Sequence, residues 1–176
     1  QGHSEIAKAY ILYRHERRKV RDEKMKVLNT QTLDPVSKNF DLNCLRVLAS
    51  RYLLRNNKNE ITESPFAMFE RVAILIGIGD LLRDDQIFNN LGNTKHDVAE
   101  AEEYLSKLDQ FNYKFKVGKY YLNQYHFRGL VNGYIDIAKR GKVKIGFKQL
   151  LTQLAAKKFD DYEARITEYL NLMTSQ

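Results

Sequence analysis

The chain has 176 residues, 43% of them hydrophobic, and carries a net charge of +7. That length and apolar content allow a buried core and exclude a disordered tail. One cysteine, Cys44, excludes an internal disulfide framework and a zinc cluster built on several thiolates, and no apolar run approaches the ~20 residues that span a bilayer.

No signal peptide is visible, and a lone thiol suits a reducing cytosol, so a cytoplasmic location is expected. Residues 1–3 look like a cloning remnant. Residues 4–27 then read as a helix. Ser4 is its expected cap, with Glu5 in the first turn, where the helix dipole favours an anion. Ile6, Tyr10, Tyr13 and Val20 share one stripe, and Arg14, Arg17, Arg18 and Arg21 run beside it. "NTQTLDPVSKN", residues 29–39, reads as a linker with Pro35 as a stop signal.

Asp41 is the expected cap of a second helix through "LNCLRVLASRY". Leu53-Leu54 and Glu60-Ile61-Thr62 flank Asn56-Asn57-Lys58-Asn59. Asparagine tolerates the left-handed backbone of tight turns, so a small β-hairpin is expected near residues 53–62. Ser64-Pro65 supplies a capping hydroxyl and a proline at the first helical position. The helix it opens, through "FAMFERVAILIGIGDLLRD", is apolar almost all round and should be buried on most sides.

"NNLGNTKHD" reads as a loop. Residues 96–109 follow as an amphipathic helix carrying Val98, Ala101, Leu105 and Leu108. Residues 119–139 read as a long helix with Tyr120, Phe127, Leu130, Val131, Tyr134 and Ala138 on one stripe. Gly129 and Gly133 lie opposite, where a neighbour can approach closely, and Gly141 fits a C-terminal cap. Two more helices are expected near 146–157 and 160–174. Asp160 should cap the last, whose apolar face is Tyr162, Ile166, Tyr169, Leu170 and Met173. The expected fold is all-α, a multi-helix domain with one minor hairpin.

Little chemistry is legible. His3, His15, His96 and His126 are scattered and form no H-E-x-x-H pair, so surface or capping roles are expected and no metal. Cys44, between apolar residues, is expected in or near the core. There is no G-x-S-x-G elbow. "GIGD", residues 77–80, lacks the rest of a phosphate-binding loop and should relieve crowding in a buried helix. From Arg14 to Lys26 there are seven basic residues against three acidic ones, and from Lys119 to Lys158 nine against one, Asp136. Aromatics interleaved with cations can bind single-stranded nucleic acid. The favoured reading is that those aromatics are core and the lysines a solvated face. No catalytic, cofactor-binding or metal residue is expected, and nucleotide- or substrate-binding residues stay unassigned.

Three stretches point further. "AYILYRHERRKVRDEK", residues 9–24, resembles the closing helix of an ATP-cone, the regulatory nucleotide-binding module of many ribonucleotide reductases. "DLNCLRVLASRYLLRNNKNEITESPFAMFERVA", residues 41–73, resembles the start of the large-subunit N-terminal domain of that family. It keeps the order helix, RYLL, polar turn, "ITESP" and "MFERVA". "YLNLMTSQ" resembles the helix leading into the catalytic barrel. The resemblance implies that residues 4–28 are the end of an ATP-cone and residues 39–176 the helical N-terminal domain, without the barrel. It implies a non-catalytic segment of an enzyme that turns ribonucleotides into deoxyribonucleotides through a thiyl radical. The nearest flavour is the archaeal, adenosylcobalamin-dependent type, with that cofactor bound by the parent and none by this segment. Implied partners are the barrel domain and, through the parent, ATP, dATP or other nucleotide effectors, with room for a homo-oligomer and none for a membrane. Arg51 and Arg71 are expected as structural ion-pair formers. The alternatives are a detached helical interaction module and a basic nucleic-acid-binding domain.

Overall fold

The computed structural model describes residues 2–110 and 114–175. It divides into two compact units. One runs up to Glu70 and includes the residues from Thr174 onward. The other is Arg71–Met173.

The first unit holds α1 (Gly2–Leu28), α2 (Pro35–Asn39), α3 (Leu42–Arg51) and the opening turns of α4 (Pro65–Leu81). α1 begins at Gly2, so Ser4 lies inside it and does not cap it. Of the remnant expected at residues 1–3, Gln1 lies outside the described residues. α1 packs on α3, with Lys24 and Leu28 buried near its C-terminal end. The segment read as a linker contains α2, because Pro35 opens a helix instead of stopping one. A proline at the first helical position has no N–H to lose and its φ is already helical. Leu33, Val36 and Phe40 thereby reach a core of Leu28, Leu45, Ala49, Leu53 and Met68. The hairpin near 53–62 is present as a loop closed by one antiparallel bridge, Arg55 to Ile61. Asn56 Oδ1 accepts the N–H groups of Lys58 and Glu60 at 3.0 and 2.9 Å. Asn59 takes the left-handed conformation, φ 62°.

The second unit holds the rest of α4, α5 (Ala99–Ser106), a 3-10 turn (Leu108–Gln110), β1 (Lys116–Val117), β2 (Tyr120–Tyr121), α6 (Gln124–Lys139), α7 (Phe147–Ala155) and, as far as Met173, α8 (Tyr162–Thr174). α5 is shorter than the helix expected over 96–109. The long helix expected from 119 starts five residues later. Its first residues form the antiparallel pair β1–β2, Lys116 with Tyr121 and Val117 with Tyr120. Gly118 makes this turn at φ +58°, and Asn123 then caps α6. Tyr120 is buried as the stripe required, but from a strand. The core gathers Phe127, Leu130, Tyr134, Phe147, Leu150 and Ile166, each at most 1% exposed. Phe127, Tyr134 and Phe147 meet as tilted and edge-on rings 5.1–6.4 Å apart. The two α6 glycines do face a close neighbour: a Cβ on Gly129 would sit 2.9 Å from a Leu75 methyl, and on Gly133 2.5 Å from one of Leu82. Gly141, φ +69°, ends α6 as expected. Asp160 does not cap α8. Its carboxylate accepts the Gly118 N–H at 3.1 Å, and Glu163 accepts that of Lys119 at 2.7 Å.

Candidate functional site

A cleft of about 230 Å³ opens in the first unit, lined among others by Thr30, Asp34, Ser37, Ile61, Glu63 and Ser64. Its chemistry centres on Asp34. With Leu33 and Val36 anchored in the core, Asp34 sits at the start of α2. The Ser37 N–H donates to its Oδ1 at 2.6 Å, and the Phe66 N–H, at the start of α4, donates to Oδ2 at 3.0 Å. One carboxylate therefore faces the positive ends of two helices. Burial alone would raise its pKa. The N–H bonds from Ser37 and Phe66 outweigh that, and the group is held below the ordinary 3.8. A helix start is where a phosphate would bind, and an ionised side chain of the chain itself already fills that role. Lys24, buried, donates from Nζ to the carbonyls of Ser37 and Lys38 at 3.3 and 2.8 Å, at the negative end of α2. Glu63 accepts the Leu54 N–H at 3.1 Å, tying the hairpin to the start of α4. The cleft can accept hydrogen bonds from a small polar molecule. It pairs no nucleophile with a base.

A second cluster lies in the second unit, where Asp80 and Asp84 meet α8. Tyr169 donates its hydroxyl to Asp80, and Tyr162 donates to Asp84 Oδ2 at 2.7 Å. Arg165 stands 3.7 Å from Asp80. Residues 162, 165 and 169 fall on one helix face, so the contacts form a row. Tyr162 is pushed up to about 12, first by burial and then by its bond to Asp84. Tyr169 is raised by its bond to Asp80 and then by burial. Both phenols are neutral donors near neutral pH, so the row is a clamp that holds α8.

The structure places the residues singled out from the sequence as follows. Cys44 is half-buried against the first core. His126, 3% exposed, completes a capping box at the start of α6: its Nδ1 accepts the Asn123 N–H at 3.1 Å. That bond leaves the ring proton on Nε2, which donates to the Arg71 carbonyl at 3.3 Å. His15 is exposed on α1, and His96 is half-buried in a loop. Among the described residues no group of three or more His, Cys, Asp or Glu is placed to hold a metal ion. Gly77 relieves crowding, since a Cβ there would fall 2.3 Å from Ile166 Cγ1. Tyr120, Phe127 and Tyr134 are core residues and offer no exposed stacking surface. Arg71 is buried with its guanidinium 5.0 Å from the Tyr125 ring centroid, while Arg51 is exposed. Sequence reasoning missed Asp34. Its signal is an Asp-Pro pair, the same kind of start marker as Ser64-Pro65. It also missed the clamp, because Tyr162 and Tyr169 were read for their apolar rings alone.

The family model described as ribonucleotide reductase, all-alpha domain, matches residues 38–114. A curated relative, the vitamin B12-dependent ribonucleoside-diphosphate reductase of Thermoplasma acidophilum, is 37% identical over 105 residues. Those residues are 60% of this chain and 12% of the relative, so the chain spans a small part of the length of the protein it matches. No solved structure matches. The matched stretch is helical in its main elements, as that description requires, and residues 38–114 are similar to the all-α domain of ribonucleotide reductases.

Proposed function

We propose that this chain is an N-terminal, non-catalytic segment of a vitamin B12-dependent ribonucleoside-diphosphate reductase. The observation that carries the reading is the 37% identity over 105 residues to such an enzyme. The buried polar groups at both clusters are spent on helix ends and on α8, and neither cluster pairs a nucleophile with a base. In the whole enzyme the segment serves as a helical neighbour of the catalytic barrel, and nucleotide effectors act through other parts of the parent. Adenosylcobalamin supplies radical initiation when bound to the parent. The cleft of about 230 Å³ does not fit it. That volume is below the ~300–1,000 Å³ of pockets for drug-sized ligands, and a corrinoid is larger than those. Among the described residues no helix is long and apolar enough to cross a membrane.

Complementation tests the reading. The chain is mixed with a separately produced barrel polypeptide, adenosylcobalamin, a dithiol and a ribonucleoside diphosphate, and deoxynucleotide is measured. Turnover that needs both polypeptides is expected. A folded barrel that neither binds the chain nor gains activity from it would overturn the proposal.

A further inference from the structure

Between Asp109 and Asp136 the chain carries no aspartate or glutamate, and it carries four cations, Lys114, Lys116, Lys119 and Arg128. All four are exposed, and among the described residues none of them stands in an ion pair. Elsewhere in the second unit Lys107, Lys139, Arg140 and Lys148 each face a carboxylate at 2.5–3.9 Å. Asp109, Asp160 and Glu163 do reach the acid-free segment, and each accepts a hydrogen bond from it. Asp109 takes one from Gln124 Nε2 at 2.7 Å, and Asp160 and Glu163 take those of the Gly118 and Lys119 N–H groups. These bonds leave the four side-chain charges unpaired.

The rings of the same segment divide into two sets. Tyr120, Phe127 and Tyr134 are core, whereas Tyr121 and Tyr125 are 62% and 46% exposed. Tyr121 pairs with Lys116 across the β1–β2 ribbon, and residues directly opposite share a face. The Lys116 ammonium lies 4.6 Å from the Tyr121 ring centroid. Tyr125 stands in the first turn of α6, three residues before Arg128 and so beside it on the helix surface. The Arg71 guanidinium lies 5.0 Å from its ring centroid. A cation backs each ring and leaves much of it in solvent. Four residues span at most ~14 Å, so one strand can meet both rings. Unpaired cations among exposed rings suit a single strand, whose phosphates answer the charges while its bases stack. A duplex has no free base to stack, and an acidic peptide would answer the lysines and leave both rings without a flat partner. We infer that the β1–β2 ribbon and the first turns of α6 bind single-stranded nucleic acid, with bases stacked on Tyr121 and Tyr125 and phosphates held by Lys114, Lys116, Lys119 and Arg128. The inference does not depend on the proposed enzymatic role.

The test uses the whole chain and labelled thymidine and uridine oligonucleotides of about 12 nucleotides. Fluorescence anisotropy should show micromolar binding at low salt. The logarithm of the affinity should fall with that of the salt concentration at a slope of about −2 to −3, for three or four phosphate contacts at ~0.7 each. Tyr121→Ala and Tyr125→Ala should each weaken binding about tenfold, while Tyr121→Phe, which keeps the ring, should not. Lys114→Ala combined with Lys119→Ala should flatten the salt slope by about 1.4. All these sites are exposed, and circular dichroism will show that the variants keep their fold. Four results overturn the inference: no binding of either oligonucleotide, an affinity that neither tyrosine-to-alanine change alters, equal binding of a glutamate-rich peptide, or binding that is lost only when Arg14, Arg17 and Arg18 of α1 are replaced by alanine.

Discussion

Replacing Asp34 by alanine strips the acceptor from two backbone N–H groups, those of Ser37 and Phe66, in separate helices. A single lost cap costs ~0.5–2 kcal/mol, so a shared one should cost about 1–3 kcal/mol in urea unfolding of the chain. A loss no larger than that of the exposed Asp41 cap would show that the second bond is worth nothing. The acid dependence has a defined sign. The folded carboxyl titrates below its unfolded value of 3.8, so in that window the unfolded chain binds more protons. Asp34's contribution is therefore complete above 3.8 and fades as pH falls through the folded value. The difference between the natural chain and Asp34→Asn should shrink over the same range. The cap was legible in principle. An aspartate before a proline that begins a helix and one before a proline that ends a linker look alike until Val36 and Phe40 are seen to need burial.

Within α4, two glycines two residues apart should respond to alanine with opposite signs. At Gly77 the new Cβ meets Ile166 at 2.3 Å, and overpacking of this kind costs ~1–3 kcal/mol. At Gly79 nothing lies within 4 Å, and the alanine should stabilise by roughly 0.5–1 kcal/mol through helix propensity. Thermal unfolding of the two variants decides it. Shortening the obstruction with Ile166→Ala should remove most of the Gly77→Ala penalty. Helices were the legible level of this structure, because an apolar period of 3.6 is written in the chain itself. The β1–β2 turn was not. Tyr120 sits at a spacing that continues the α6 stripe, and only Gly118 at positive φ and the Asn123 cap mark where the period changes. The α8 clamp was hidden for another reason: which carboxylate a tyrosine meets 78 residues away is a fact of packing.

For the molecule as a whole, alkaline pH should act first on the second unit. Tyr134 and Tyr162 are both pushed up to about 12, with burial the leading cause in each. Folded values above the unfolded 10 mean that stability is complete below 10 and drains away as pH rises toward 12. Urea midpoints between pH 8 and 11.5 should fall accordingly, and Tyr162→Phe should flatten the fall while costing ~0.5–1.5 kcal/mol at neutral pH for its hydrogen bond. An unchanged alkaline limb in that variant would place the sensitivity elsewhere. The division into two units was out of reach of the sequence, because it falls between Glu70 and Arg71, inside an uninterrupted helix and with no glycine or proline at the division itself. It gives the molecule's single sulfhydryl a use. Cys44 is half-buried against the core of the first unit, so that core shields it in part and its reaction with an aromatic disulfide reagent should quicken when the core opens. The untouched chain thus carries its own clock for the first unit, one that is blind to opening confined to the second.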